Sequence, residues 1–344
     1  MATGALILSL DERDWPTFPQ QISDLSDSDP KVRKECVAKA SFTTMFSQSN
    51  TTLRQVGEEE LDILKERLAC HLPHSLIVYG SVSLASHYGI HYLHPTSILV
   101  PADPCPSCLT ITALISKGVQ CIGVFWSPAE HTALDVARFL FHIPDLNRSQ
   151  PVLLMGCASI LQLSSLGIVG GQRLHVQVKF QGHIYNLETP AILDIKLSPQ
   201  YYMSSLKEED ALMVWTHWKA NYFDTEDGIR HDIAHLPSVS IRKRSPTDSV
   251  ESLQKEAGEN LVSWIRTTKN GWMGNTFTQL QHRRKGLASK ATLALAHQLL
   301  QKGLLAYVVI ENNNTASMKF HDALGFKWQC AFCTLELLPV DKNI

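Results

Sequence analysis

The stretch from Gln281 to Phe326 constrains the fold most tightly. It reads as a strand end, a basic glycine loop, a helix, a strand, an asparagine run and a last helix. The loop is Gln281-His282-Arg283-Arg284-Lys285-Gly286-Leu287-Ala288. After it, Leu287, Ala291, Ala294, Leu295 and Leu299 share one face at the helical period, and Gly303 suits a C-cap. Leu304–Ile310 is a short apolar run that predicts a buried strand. Asn312-Asn313-Asn314-Thr315 breaks it and caps a helix that ends before Leu324-Gly325-Phe326. A tight loop opening a helix leaves backbone N–H groups unpaired at the positive end of the helix dipole. Gly286 and Ala288 let an anion come close, and Arg283, Arg284 and Lys285 add full charges. The unit therefore reads as a phosphate site, although a basic loop can also open an ordinary surface helix.

At 344 residues, with 44% hydrophobic and 19% charged residues, the chain has material for two compact domains. A net charge of -2 gives no reason to expect nucleic acid as a partner, and no apolar run is long enough for a membrane span. The eight cysteines do not form a disulfide pattern in a chain this long. Two C-x-x-C pairs, Cys105/Cys108 and Cys330/Cys333, have the spacing of half zinc sites. They lie far apart, and the second falls beside a predicted terminal strand, Ala331–Leu338, so reduced structural thiols and no metal are expected.

Residues 1–57 are rich in Ser, Asp and Gln and predict a polar, partly disordered extension. Their first residues have neither the basic start of a secretory signal nor the arginines of a transit peptide. Leu61, Leu64 and Leu68 mark a helix face behind an acidic first turn. Ser75–Tyr79, Pro95–Val100, Val119–Phe125 and Leu174–Phe180 predict strands, and Ser127–Phe141 and Val152–Leu166 predict helices. The polar run over 242–258 is long for a strand connection and reads as a solvated insertion, with a partner-binding loop as the alternative.

Two motifs carry a resemblance. Arg283-x-x-Gly286-x-Ala288 resembles the R/Q-x-x-G-x-G/A signature of the GNAT superfamily of acyl-CoA-dependent N-acyltransferases. Asn314 to Phe326 resembles its N-x-A-x-x-x-x-Y-x-x-x-G-F ending, with His321 in the tyrosine's place. Upstream, Leu72-Pro73-His74-Ser75-Leu76-Ile77-Val78-Tyr79-Gly80-Ser81-Val82 is similar to the opening of the glycine N-acyltransferase-like family. Lys196-Leu197-Ser198 with a helix over Ala211–Asn221, then Leu236–Val239 and Val262–Trp264, resemble that family's linker and two strands.

The resemblance implies an α/β fold: a GNAT-type mixed central sheet with flanking helices over 196–344, preceded by a second, GNAT-like α/β domain over 58–195. It implies acyl-CoA as co-substrate, with its diphosphate on Gln281, Arg283, Arg284, Lys285, Gly286, Leu287 and Ala288. The pantetheine arm would lie between splayed strands near Met273–Gln279 and Leu304–Ile310, with Thr278 and Asn314 close by. The partner would be a small amine such as glycine, attacking directly in a ternary complex. His321 would protonate the leaving thiolate, and Gly274 offers a bulge for a backbone donor to the thioester. The family's glutamate base falls at Trp272, which cannot accept a proton. Three readings follow: Glu311, His282 or a water is the substitute, the acceptor differs from glycine with Trp272 shaping its pocket, or the protein binds acyl-CoA without efficient turnover. The resemblance points to mitochondria, whereas the opening residues fit the cytoplasm.

Overall fold

The computed structural model describes residues 52–93, 96–102, 107–116, 118–147, 149–164, 168–169, 172–189, 196–244 and 260–339. Nearly all of the predicted extension, residues 245–258 of the insertion, Cys105 and the expected domain boundary at 195 lie outside them. No described helix is long and apolar enough to cross a membrane.

The N-terminal half runs β1 (Leu53–Gln55), α1 (Leu61–Ala69), α2 (Leu76–Tyr88), β2 (Thr96–Pro101), β3 (Thr110–Ser116), β4 (Val119–Phe125), α3 (Ala133–Leu140), β5 (Val152–Cys157), α4 (Leu161–Ser164), β6 (Ile168–Val169) and β7 (Gln172–Leu187). The C-terminal half runs β8 (Tyr201–Ser204), α5 (Ala211–Thr216), α6 (Glu226–His235), β9 (Ser238–Lys243), β10 (Leu261–Thr267), β11 (Met273–Thr278), α7 (Leu287–Gln301), β12 (Ala306–Glu311), α8 (Thr315–Ala323) and β13 (Lys327–Pro339).

One sheet joins them in the order β1-β2-β3-β4-β5-β13-β7-β12-β11-β10-β9-β8, with β6 paired to β7. The order reads alike outward from its centre. β13 meets β5 antiparallel, and β5 meets β4 parallel. On the other side β7 meets β12 antiparallel, and β12 meets β11 parallel. Each half therefore lends its last strand to the other, and β7 and β13 pair along the seam from Asn186↔Lys327 to Leu174↔Pro339.

The halves differ at the parallel pair. β4 and β5 keep register over Cys121↔Leu153, Ile122↔Leu154 and Gly123↔Met155. β11 and β12 pair only at Met273↔Val308. The cause is on the other edge of β11. Its register with β10 shifts between Trp264 and Arg266, where Asn275 and Thr276 of β11 face the single residue Ile265, and Asn275 in this bulge is left-handed with φ 55°. A bulge bends the strand that carries it, so β11 turns away from β12 beyond Met273. β3 and β4 pair without interruption, so β4 stays beside β5.

α1, α2 and α7 bury their apolar faces in one cluster with the sheet, including Leu61, Leu68, Val82, Leu287, Leu295 and Leu299. Each such side chain contributes roughly 1.5–3 kcal/mol on removal from water. α7 buries the face its sequence predicted. It ends in a Schellman turn: Gly303, at φ 70°, donates to the Leu300 carbonyl and Leu304 donates to Leu299.

Several expectations are corrected. Ser75–Tyr79 is not a strand but the start of α2. From Leu76 to Ala85 only Tyr79 escapes burial, so the polar face that reveals a helix is missing. Val152–Leu166 begins as the fully buried strand β5 rather than a helix. α3 starts only after Thr132, whose side chain accepts from Asp135 N. The Ala211–Asn221 helix stops at Thr216, and β3 was not foreseen.

Candidate active site

The gap between β11 and β12 leads to the basic loop. Arg284 and Gly286 both take left-handed backbone, φ 61° and 69°, and Gly286 is the N-cap of α7. Glycine has no side chain to cap with, so the first amides of α7 face outward. Nothing lies within 4 Å of where a Gly286 Cβ would sit. Arg283 Nε donates to the Thr278 carbonyl at 3.0 Å, and its guanidinium covers the Phe277 ring. Lys285 Nζ donates to Tyr201 Oη at 3.1 Å, and His282 Nδ1 meets the same hydroxyl at 2.9 Å. Burial and nearby Lys285 hold His282 below its ordinary pKa. Tyr201, on β8, thus anchors the loop, a role that no spacing in the sequence discloses. Gln281 is exposed and bonds Gln279. Leu287 is buried and Ala288 half-buried at the helix start. Thr278 Oγ1 meets Ser263 Oγ at 2.8 Å.

On α8, Asn314 caps the helix by accepting from Ser317 N at 3.1 Å. His321 is buried between Phe320 and Phe326. Its Nδ1 lies 2.9 Å from the Ser317 carbonyl and so carries the proton, which leaves Nε2 as a buried acceptor without a partner. Burial pushes its pKa down, so the neutral ring is favoured. Glu311 ends β12 in an exposed position, close enough to Tyr222 to help raise that phenol's pKa. Thus the structure groups the loop residues around α7, while Glu311 and His321 belong to the β12–α8 side of the gap.

At the other end of β11, the turn Thr268–Trp272 is held by α2 of the N-terminal half and by β12 of its own half. Ser81 Oγ donates to the Lys269 carbonyl at 3.1 Å, and Tyr307 Oη donates to the Asn270 carbonyl at 2.5 Å. Gly80 and Gly271 pack backbone to backbone, and a Cβ on Gly271 would sit 2.7 Å from Gly80 Cα. This turn floors a cavity of about 20 Å³, room for a water or two. Its walls include Thr96, Thr112 and Cys121 from one half and Asp224, Arg266 and Trp272 from the other.

The cavity is charged. Arg266 Nη1 donates to Asp232, and Lys269 Nζ donates to Asp224 Oδ1 at 3.0 Å. Arg266 Nη2 lies 3.8 Å from Asp224. Burial raises the Asp232 pKa, against the pull of Lys269 and Arg266. Arg266 Nε and Nη2 and the hydroxyls of Thr96, Thr112 and Thr268 are buried and make no hydrogen bond. Buried polar groups normally find partners, so this cluster is set up for a polar guest. Cys121 is no nucleophile here, because burial and the Asp224 charge push its thiol up to about 12. These residues were not foreseen from the sequence; the available signal was Arg266, a charge in the otherwise apolar strand β10.

Trp272, at the position expected for a glutamate, is buried in the cavity wall against Phe332. Asn275, at the bulge, has both side-chain polar atoms buried without partners. Among the described residues, the N-terminal half offers no equivalent anion loop at the corresponding place. Between β4 and α3 lies Trp126–Thr132, and the α3 amides are closed by a capping box of Thr132 and Asp135. Cys330 and Cys333 lie on opposite faces of β13, in different core clusters, so that C-x-x-C pair cannot share one metal.

A search of curated proteins gives no match. The family model for FR47-like proteins matches residues 253–333. A Drosophila protein of known structure is 16% identical, with 83% of this chain and 98% of that one covered and a TM-score of 0.63. A Pyrococcus horikoshii protein described as an acetyltransferase is 10% identical, with 84% and 89% covered and a TM-score of 0.50. A GCN5-related N-acetyltransferase of Sphaerobacter thermophilus is 10% identical, covers 85% and 97%, and has a TM-score of 0.48. With the FR47-like match across its anion loop and last helix, the chain has a GNAT-type fold, built as two GNAT-like α/β halves around one shared sheet.

Proposed function

We propose that the protein is an acyl-CoA-dependent N-acyltransferase acting on a small amine, with glycine or another amino acid as the acceptor. The observation that carries this is the single-pair contact of β11 and β12, opening toward the uncapped N-terminus of α7. The amides after Gly286, with Arg283, Arg284 and Lys285, bind the diphosphate. The pantetheine arm follows the gap past Thr278, with Asn314 on its far side. The cavity's room for a water or two suits a carboxylate, so the acceptor's carboxylate displaces that water to take Nε and Nη2 of Arg266 and the threonine hydroxyls, while its amine stays outside, on the Asp224 side. An amino acid complements this cavity because it brings one charge of each sign to a cluster that is already neutral.

The amine nitrogen attacks the thioester carbonyl carbon, the C–S bond breaks, and the thiolate leaves with a proton. Alignment of amine and thioester supplies much of the rate. The Asn275 amide is suited to donate to the oxyanion. Asp224 or Glu311 takes the amine proton in place of the absent glutamate. His321 as neutral ring fits an acceptor role at Nε2 better than the acid role its position suggested.

Trp272 supports a second reading, an acyl-CoA-binding protein without turnover. The discriminating experiment measures thiol release from short-chain to aromatic acyl-CoAs, with glycine, other amino acids and decarboxylated amines. Amino-acid-dependent release that fails with decarboxylated amines supports the transferase. Thermal stabilisation by acyl-CoA without amine-dependent release supports the binder.

A further inference from the structure

Where α2 begins, two buried thiols and a histidine converge. Cys157 ends β5 and pairs with Phe332, while Cys330 on β13 pairs with Ile184. The two Sγ atoms lie 3.5 Å apart. The Pro73 carbonyl oxygen is 3.7 Å from Cys330 Sγ and 4.0 Å from Cys157 Sγ. A ring nitrogen of His74 lies within 4.8 Å of both sulfurs. Two sulfurs, one imidazole nitrogen and one carbonyl oxygen thus mark out four corners.

Zinc in a tetrahedral site sits about 2.3 Å from sulfur, which puts neighbouring ligand atoms about 3.8 Å apart. The three measured separations bracket that value. His74 has an exposed side chain, so it can swing inward and also gives the ion a route from solvent. Leu76, Met155, Ile184 and Phe332 belong to the same buried cluster as the thiols, so the other sides of the site are dry.

We propose that Cys157, Cys330 and His74, with the Pro73 carbonyl, bind one zinc ion that fastens the segment before α2 to the centre of the sheet. Binding releases the two thiol protons to solvent and leaves two thiolates on the metal. The site differs from the C-x-x-C pairs visible in the sequence, because it takes one cysteine from each of two neighbouring strands. α2 in turn grips the Thr268–Trp272 turn through Ser81, so the ion stiffens the cavity from behind without touching it.

The test uses the full chain, reduced and kept under argon. Cobalt(II) chloride is titrated in and the thiolate-to-cobalt charge-transfer band is followed, then zinc is added to displace it. One equivalent per chain is expected, with tetrahedral ligand-field bands. Cys157→Ser and Cys330→Ser should each lose most of the charge-transfer intensity, and Cys333→Ser should keep it. His74→Ala removes an exposed side chain, so its folding is secure, and it should weaken cobalt at least about tenfold. Should the cysteine variants fail to fold, the wild-type spectrum and His74→Ala still decide. A wild type without the charge-transfer band overturns the proposal, as does unchanged cobalt affinity in His74→Ala.

Discussion

Gly286 gives the sharpest test of the diphosphate loop. Its φ of 69° costs an L-residue roughly 1–2 kcal/mol, and this applies to alanine and glutamate alike. No atom lies within 4 Å of an added Cβ, so neither variant meets a clash. Gly286→Ala and Gly286→Glu should therefore show similar thermal stability and differ by one charge at the mouth of α7. Against a diphosphate of charge about -2 at about 6 Å, that charge costs about 1.4 kcal/mol at bulk-water dielectric, or tenfold in affinity. An effective dielectric of about 20 raises this several-fold, and physiological salt screens it by about half. Calorimetric titration with coenzyme A at low salt should show at least a tenfold weaker constant for Gly286→Glu than for Gly286→Ala, shrinking as salt rises. Pantetheine, which lacks the diphosphate, should bind both variants equally. Coenzyme A affinities within twofold at low salt would refute the reading of this loop.

Arg266→Met should destabilise by about 3–5 kcal/mol in urea melts, since it leaves Asp232 buried without its hydrogen-bonded cation; adding Asp232→Asn should recover stability. Thr112→Val removes a buried hydroxyl without a partner, so stability should change by less than about 1 kcal/mol while the acceptor KM rises. Burial holds His321 below its ordinary pKa, so the unfolded chain takes up that proton first as pH falls. The stability this represents is present above about pH 6.5 and is lost as pH drops toward the folded pKa. Comparing urea midpoints from pH 8 to pH 5, the wild type should lose more stability than His321→Gln; parallel curves would contradict this.

Local signals were legible where one segment settles its own structure. The α7 face, its Gly303 turn, the Asn314 cap and the strands at Val119–Phe125 and Met273–Gln279 follow from period, φ > 0 at glycine and side-chain capping, all fixed within a few residues. The loop at Gly286 belongs to this class, since the amides at a helix start are free wherever that helix packs. What failed is what burial erases. α2 and β5 are covered on all sides, so neither shows the alternation that separates helix from strand. The exchange of β7 and β13 between the halves was also invisible, because strand pairing depends on which edges meet in space. The charged cavity and the Cys157–Cys330–His74 group arise the same way. Each draws on segments far apart along the chain, and each residue alone is ordinary. Tertiary packing makes them sites, by stripping water from groups that then need one another.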